Sequence, residues 1–314
     1  MPRKIILDCD PGHDDAMAIL LAQGSPDIDL VGITTVAGNQ TLDKTTLNAR
    51  RVCSAAGITD VPICAGCAAP LLRPLVTAAY IHGESGLDGP QWPEPTVPLS
   101  DEHAVDFIVR TIMESDGDVT LVPVGPLTNI ALALRREPRI VAKTREVVLM
   151  GGSSERGNHT PAAEFNIIVD PEAAAAVFST PWPVTMVGLN LTHQAGAGPD
   201  VVERIRALGS PLARTVVDLL GFFGSTYKVA EGRPHPPVHD PCAVARVAKP
   251  ELVEVQDAFV VVETKGEWTS GMTVTDFTGR LGQAPNAKVA TVLDRAGFWD
   301  EMVSAIAALG PASR

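Results

Sequence analysis

Aromatic residues are scarce in this sequence, and positive charge is in deficit. Phenylalanine, tryptophan and tyrosine make up only 4% of the 314 residues, so broad aromatic platforms for stacking nucleic-acid bases are not expected. The 25 basic residues are outnumbered by 37 acidic ones, which leaves a formal net charge of −12. Because that field repels polyanions, nucleic acid and anionic membranes are poor partners, and a neutral or cationic small molecule is a better one.

Long apolar runs are also missing. No stretch reaches the roughly 18 to 20 apolar residues that a membrane span requires, and the short run after Met1–Lys4 does not fit a secretory signal. The five cysteines form an odd, scattered set, which is typical of reduced thiols in a cytoplasm. Cys64 and Cys67 have C-x-x-C spacing, but no second pair accompanies them, so a packed turn is favoured over a redox or zinc site.

Short apolar runs alternate with helical patterns through the first two thirds of the chain, which predicts a largely parallel sheet. No repeat or convincing linker interrupts the sequence, so residues 1–314 are predicted to form one α/β domain. We expect an open, mostly parallel Rossmann-like sheet with helices on both faces and a more helical C-terminal third. The strands are predicted at residues 5–9, 30–36, 119–124, 147–150 and 183–189, with late strands at 259–264 and 271–274.

Four carboxylates follow the first predicted strand within eight residues: Asp8, Asp10, Asp14 and Asp15. Asp14 and Asp15 alone would fit as caps of the next helix. Four carboxylates packed together repel one another, however, and take up protons unless a cation compensates them. Because the available ligand atoms are all oxygens, calcium or magnesium suits this cluster better than zinc.

Further polar residues follow other predicted strands, where open α/β sheets bind their ligands. Asn39 follows the second strand, and Thr128–Asn129 follows the third, although a helix cap explains that pair equally well. His82 lies in a glycine-rich loop and His239–Asp240 follows a proline-rich loop; a solvated turn or surface pair fits each of them as well as a functional site. The strand that ends near Met150 is followed by Asn158, Glu164 and Asn166.

None of these clusters (residues 8–15, 37–39, 158–166 and 239–240) contains lysine or arginine, and the sequence has no G-x-x-x-x-G-K-[ST] loop. A phosphate site would recruit basic residues or a glycine-rich nest. The carboxylates and amides instead suit a ligand rich in hydroxyl groups.

The segment Asp8–Ala16 reads DCDPGHDDA, which resembles the D-x-D-P-G-x-D-D-A signature of the nucleoside hydrolases, specifically the inosine–uridine-preferring group. The resemblance continues in the expected order in residues 32–39, 82–89, 122–131, 148–152, 163–167, 170–174 and 238–241. It implies an enzyme of nucleoside salvage that cleaves the N-glycosidic bond of purine and/or pyrimidine ribonucleosides to free base and ribose.

The resemblance also implies roles for individual residues. The implied calcium ligands are the side chains of Asp10, Asp15 and Asp240 and the main-chain carbonyl of Val124. Asp10 would also take a proton from the attacking water, Asn39 would orient that water, and His239 would protonate a leaving purine. The implied substrate-binding residues are Asp14, Asn39, His82, Met150, Asn158, Glu164, Phe165, Asn166, Tyr227, His239 and Asp240.

The sequence indicates less about the preferred base and about the oligomeric state than about the catalytic residues. Contacts to the base are expected in residues 230–238, but no pattern there sets a preference, and the effect of Glu231 stays open. The resemblance suggests a homotetramer or homodimer. Two alternatives fit the sequence less well. A magnesium phosphatase that uses Asp8 and Asp10 leaves the Asp14–Asp15 pair unexplained, and a binding protein without turnover would lack Asp10, Asn39 or Asp240, all of which are present.

Overall fold

The computed structural model describes residues 1–310, so the last four residues of the predicted domain lie outside the described part. The strands are β1 (Arg3–Cys9), β2 (Ile28–Thr35), β3 (Ile63–Ala65), β4 (Thr120–Pro123), β5 (Glu146–Met150), β6 (Val184–Val187), β7 (Val253–Val262), β8 (Thr273–Asp276) and β9 (Ala287–Leu293). They form one sheet in the order β3-β2-β1-β4-β5-β6-β9-β7-β8. The pairs from β3 through β6 to β9 are parallel, whereas β7 pairs in antiparallel fashion with both of its neighbours, β9 and β8.

Thirteen helices surround the sheet in the described residues. They are α1 (His13–Gly24), α2 (Leu42–Ala56), α3 (Ala79–His82), α4 (Ala104–Glu114), α5 (Thr128–Arg136), α6 (Ile140–Lys143), α7 (Phe165–Val169), α8 (Pro171–Phe178), α9 (Leu189–Thr192), α10 (Pro199–Arg206), α11 (Pro211–Glu231), α12 (Pro241–Ala248) and α13 (Arg295–Leu309), with a 3₁₀ turn at Pro250–Leu252. None of these helices combines the length and the hydropathy needed to cross a bilayer.

The core has two layers, one on each face of the sheet, because side chains alternate along a strand. In β1, Ile5 and Leu7 pack into the layer that contains α1, α2 and α11 to α13, while Ile6 packs into the layer that contains α4, α5 and α8. Both faces of the sheet are therefore covered, as parallel sheets require. The predicted α/β class, the mostly parallel sheet and the helices on both faces are confirmed.

The order of the strands sets the position of the site. After β1 the chain places β2 and β3 on one side and then returns to place β4 and β5 on the other, so the direction of winding reverses between β1 and β4. Cys9 pairs with Thr35, and Asp8 pairs with Pro123, which brings the carboxyl ends of β2, β1 and β4 level with one another. Such a reversal opens a crevice for ligands beyond those ends.

The C-terminal third contains more strand than predicted. The long helix α11 and the helices α12 and α13 lie there, but β7 is ten residues long and β9 joins the sheet between β6 and β7. The strand β9 reads AKVATVL, in which small and charged residues interrupt the apolar pattern that identified the other strands. Its place is fixed by pairing with two neighbours, which local sequence does not report.

Candidate active site

The turn between β1 and α1 positions the first group of carboxylates. Gly12 has extended backbone and caps α1. The Asp15 carboxylate accepts hydrogen bonds from the main-chain nitrogens of Gly12, at 2.9 Å, and Asp10, at 3.0 Å. The helix-capping alternative is thus true of Asp15, and the same two hydrogen bonds fix the position of its buried carboxylate.

Three carboxylates from two distant segments meet here. Ligand oxygens of Asp14, Asp15 and Asp240 lie within 4.8 Å of one another, and all three side chains are buried. Asp240 arrives with the start of α12, and the Asp14 carboxylate accepts a hydrogen bond from the main-chain nitrogen of His239 at 3.3 Å. Asp14 and Asp15 are neighbours in sequence, and Asp240, more than two hundred positions away, completes the cluster.

Asp10 lies against this cluster, with one oxygen bonded and one free. Its Oδ2 accepts a hydrogen bond from the main-chain nitrogen of Asn39 at 2.6 Å, and its Oδ1 is buried with no hydrogen-bond partner among the described residues. A Cβ at Gly38 would overlap Oδ2 and one at Gly125 would overlap Oδ1, so both glycines are needed for the side chain to fit. The carbonyl of Val124 accepts a hydrogen bond from Asn166 Nδ2 at 2.9 Å.

Burial and mutual repulsion disfavour the charged form of these acids. Desolvation and then the nearby Asp15 raise the pKa of Asp10 well above its usual range and that of Asp14 to about 8. Desolvation, and then the charges of Asp14 and Asp15, also raise the pKa of Asp240 well above its usual range. No lysine or arginine forms an ion pair with any of the four in residues 1–310. The possible ligand atoms are all buried oxygens, and no basic residue compensates the charge of the carboxylates. Such a set of ligands fits a hard divalent cation such as calcium.

A pocket opens above the carboxylates, and it contains all eleven predicted substrate-binding residues. Asp14, Asn39, His82, Met150, Asn158, Glu164, Phe165, Asn166, Tyr227, His239 and Asp240 all line it. The structure therefore brings together residues that are spread over more than two hundred positions of sequence. Of the predicted calcium ligands, Val124 and Asp240 also line the pocket, whereas Asp10 and Asp15 lie beneath its floor.

One side of the pocket is held by hydrogen bonds to the start of α7. The Glu164 carboxylate accepts hydrogen bonds from the main-chain nitrogens of Asn166, Gly152 and Ile167 at 2.9 to 3.1 Å. Desolvation nevertheless raises the pKa of Glu164 to about 7. Asn158 Oδ1 accepts from the main-chain nitrogen of Phe165 at 2.9 Å. Capping thus fixes the same polar side chains that line the pocket.

The opposite side of the pocket is aromatic and was largely missed by sequence reasoning. Phe223, Tyr227 and Glu231 of α11 line it, together with Tyr80. The three α11 residues are spaced four apart, so they lie on one face of the helix. Two phenylalanines in succession, at 222 and 223, in a sequence so poor in aromatics were the available signal. Within the predicted 230–238 segment, only Glu231 is among the lining residues.

His239 is buried between two hydroxyl groups. Its Nδ1 lies 2.7 Å from Thr192 Oγ1 and its Nε2 lies 3.0 Å from the Tyr227 hydroxyl. Because a hydroxyl group can both donate and accept, these two contacts satisfy both ring nitrogens of His239. Burial lowers the pKa of His239 well below 6.5.

Other polar residues from the strand ends serve the scaffold. Asp8 Oδ1 accepts hydrogen bonds from Thr34 Oγ1, at 2.5 Å, and Asn129 Nδ2, at 2.7 Å, and Asp8 does not line the pocket. Thr128 Oγ1 donates to Asp170 at 2.7 Å. Cys64 and Cys67 are buried free thiols, and burial raises the pKa of the Cys67 thiol to about 12. None of these residues lines the pocket or belongs to the carboxylate cluster of Asp14, Asp15 and Asp240.

Comparison with known proteins agrees with this geometry. The sequence profile of one protein family, described as "Inosine-uridine preferring nucleoside hydrolase", matches residues 5–300. The chain is 49% identical over 312 residues to an inosine-uridine preferring nucleoside hydrolase of Crithidia fasciculata, which covers 99% of both chains. It is 48% identical to a pyrimidine-specific ribonucleoside hydrolase, RihA, of Enterobacter sp. (strain 638), covering 98% of both. Its structure is similar to that of a purine-preferring ribonucleoside hydrolase from Gardnerella vaginalis, with a TM-score of 0.92, 33% identity and coverage of 98% and 99%.

Proposed function

The chain belongs to the family of inosine-uridine preferring nucleoside hydrolases, and on that premise we propose that it is a calcium-dependent ribonucleoside hydrolase. It cleaves the N-glycosidic bond of ribonucleosides and releases free base and ribose. One observation supports the metal dependence above all others. The buried carboxylates of Asp10, Asp14, Asp15 and Asp240 have no basic partner in the described residues, directly below a pocket of hydroxyl-binding groups.

The calcium ligands that we propose are Asp10, Asp15, Asp240 and the carbonyl of Val124. The partnerless Oδ1 of Asp10 and the short distances among the other carboxylates support this set. Asp14 belongs to the same group of close oxygens, and we assign it to ribose because it also lines the pocket. When bound, calcium would cancel the repulsion among these acids, fix two ribose hydroxyls and make water more acidic.

In the proposed reaction, the carboxylate side chains and the asparagine side chains have different roles. Departure of the base gives ribose an oxocarbenium-like character, which nearby carboxylates stabilise electrostatically. Asp10 accepts the proton of the attacking water, and Asn39, whose Nδ2 donates to the Asp10 carbonyl at 3.2 Å, orients that water. Asp14 and Asn166 bind the 2′-hydroxyl side, Asp240 binds the 3′-hydroxyl, and Asn158 and Glu164 bind the 5′-hydroxyl. These contacts would hold the sugar next to the attacking water, which speeds the reaction by proximity.

The products distinguish this function from that of a phosphatase on the same fold. Incubation with inosine, uridine and cytidine should yield ribose, detected as reducing sugar, and free base, detected by chromatography. The relatives named above act on purine and pyrimidine nucleosides, and we propose that this chain accepts one or both classes. Release of inorganic phosphate from phosphorylated substrates without any free base would contradict the proposal.

His239→Ala should slow inosine hydrolysis by about a hundredfold, within the usual range of general acid catalysis. A purine leaves more easily when a ring nitrogen is protonated, and His239 lines the pocket with its Nε2 beside the Tyr227 hydroxyl. Uracil offers carbonyl oxygens in another place, so uridine should be less affected. The activated substrate p-nitrophenyl riboside should be largely spared, since its leaving group needs little help.

Equal losses on inosine, uridine and p-nitrophenyl riboside would contradict the acid role. Such a result would mean that His239 only orders the segment that holds Asp240. The contact between the His239 main-chain nitrogen and Asp14 provides a route for that effect.

We further propose that the chain forms a single domain, acts in the cytoplasm in nucleoside salvage and assembles as a homotetramer or homodimer. The single sheet and the five free, buried cysteines support the first two statements. Closed symmetric oligomers are the common state of such enzymes. Light scattering at micromolar concentration should give the mass of two or four chains, and a monomer would refute the assembly while leaving the chemistry intact.

A further inference from the structure

Glu231 is an acidic residue of the pocket that the proposed function leaves without a role. It is the last residue of α11, and it lines the pocket one helical turn beyond Tyr227. Two basic residues are near it in sequence, Lys228 and Arg233, but neither forms an ion pair with it in the described part of the chain. The carboxylate is therefore available to a ligand.

The position of Glu231 in α11 is unfavourable for the fold. Gly232, in the left-handed conformation with a φ of 68°, ends the helix directly after it. The carbonyl groups of the last turn carry the negative end of the helix dipole, so an anionic side chain there is destabilising. Stability does not explain a carboxylate that lies against the dipole without a basic partner, and binding does.

Glu231 lies at the outer end of the pocket. Desolvation, and then the charge of Glu231, raise the pKa of Tyr80 and that of Tyr227, so the carboxylate is close to both rings. Tyr80 is 57% exposed and Glu231 is half-buried, whereas Asp14 and Asp240 are buried. The pocket therefore runs from the buried carboxylates to Glu231 near its opening.

The proposed function orients a nucleoside along this pocket. With ribose bound at Asp14, Asn166 and Asp240, the edge of the base remote from the glycosidic bond faces the outer end, where Glu231 lies. That edge carries the groups that distinguish the bases. Guanine has an imino and an amino group side by side, and cytosine has an amino group. Hypoxanthine has an imino group beside a carbonyl, and uracil has an imino group between two carbonyls.

A carboxylate suits some of these edges and not others. When ionised it only accepts hydrogen bonds. Its two oxygens match the adjacent imino and amino donors of guanine in a charge-assisted, bidentate pair, and one oxygen can accept from the amino group of cytosine. The carbonyl oxygens of hypoxanthine and uracil repel it. Such a polar site discriminates strongly, because the wrong base leaves a polar group unpaired.

We propose that Glu231 is a specificity-determining residue that selects nucleosides whose base carries an amino group on the edge remote from ribose. Guanosine is the best match among purine nucleosides and cytidine among pyrimidine nucleosides. The inference rests on the proposed function, because the bound ribose decides which edge of the base reaches Glu231. The carboxylate acts in recognition, and the calcium site and Asp10 keep the roles given above.

Two pairs of substrates test this selectivity. Guanosine differs from inosine only by an amino group, and cytidine has an amino group where uridine has a carbonyl. We expect kcat/KM of the parent enzyme to be about tenfold higher for guanosine than for inosine, and for cytidine than for uridine, as one charge-assisted hydrogen bond allows.

Glu231→Gln should reverse the preference. The amide keeps the shape of the side chain but presents one acceptor and one donor, which complement the imino and carbonyl groups of inosine and uridine. We expect kcat/KM to fall about tenfold for guanosine and cytidine and to rise for inosine and uridine. A gain on the second pair is a result that damage to the fold would not produce.

Glu114→Gln is the matched control. Glu114 is likewise the last residue of a helix, α4, and it does not line the pocket. This variant should leave kcat/KM unchanged on all four substrates. Glu231→Gln should melt no lower than the parent protein, because it removes a negative charge from a helix end.

A preference for guanosine and cytidine that survives in Glu231→Gln would overturn the proposal. A loss of equal size on all four substrates, or equal kcat/KM within each pair in the parent enzyme, would do the same.

A parent enzyme that hydrolyses no nucleoside would refute the proposed function instead. Titration calorimetry of intact guanosine and inosine into the calcium-loaded protein would then test Glu231 by itself. Tighter binding of guanosine that is lost in Glu231→Gln would support the proposal, whereas equal affinities or no binding would overturn it. The two failures are therefore distinguishable.

Discussion

Asp10→Asn is expected to lower kcat by at least about a hundredfold, the lower end of general acid–base effects. The substitution keeps the shape of the side chain but removes its charge and its ability to take a proton. It also affects the contact at which Oδ2 accepts from the main-chain nitrogen of Asn39 at 2.6 Å. An amide can present only one acceptor oxygen, so it cannot serve both this contact and the cation. Steady-state kinetics on inosine and uridine measure the loss.

Asp8→Asn is the matched control for that experiment. It is the same substitution two residues earlier, at a carboxylate that is equally buried and that, like Asp10, does not line the pocket. An asparagine there keeps the Oδ1 acceptor for Thr34 and Asn129, and its kcat should stay within a few-fold of the parent value. Asp10→Asn with kcat as high as that of the control would show that Asp10 is not the base.

Removal of calcium is expected to destabilise the protein, and more strongly as pH rises. A ligand present at about 100 times its dissociation constant stabilises the folded state by about 2.7 kcal/mol. Without calcium, the pKa of Asp14 is raised by burial and by Asp15 from 3.8 to about 8. Between these values the unfolded chain has lost the proton that the folded protein retains, so the free energy of unfolding of the metal-free protein falls with rising pH.

Melting temperatures with a chelator and with excess calcium, compared from pH 5 to about pH 8, measure this effect. The difference between the two should widen toward higher pH, because calcium replaces the protons that the acids hold at low pH. Added magnesium serves as the control for a general divalent effect, since it prefers smaller, octahedral and more hydrated sites. Equal melting temperatures with and without calcium at every pH would contradict the proposed site.

Motifs at the strand ends predicted much of the site from sequence. The Asp8–Ala16 segment combines a buried strand, a sharp turn and clustered acids, and each of these leaves a local mark on the sequence. Parallel strands align their carboxyl ends, so the sequence alone predicts that Asn39, Glu164 and Asn166 lie near these acids. Asp240 was harder to place, because a histidine–aspartate pair is also common on surfaces.

Features that depend on packing between distant segments left no such mark. The aromatic side of the pocket comes from α11, whose face was not identifiable without knowing which way the helix turns toward α3. The contact between His13 and His82 joins positions 69 residues apart. The strand β9 lacks a strong apolar pattern and is defined by its neighbours in the sheet. Each of these depends on tertiary contacts that override local preference.

Ribose release by metal-free and calcium-loaded protein is the measurement that tests the central claim most directly. Protein stripped by exhaustive chelation is divided, calcium is returned to one half, and reducing sugar from inosine and uridine is followed in both, with metal content measured by elemental analysis. We predict one calcium per chain in the reconstituted protein, hydrolysis of at least one of the two nucleosides by it, and no detectable hydrolysis by the stripped protein. Full activity in protein shown to be free of metal would contradict the claim that the buried carboxylates work by holding calcium.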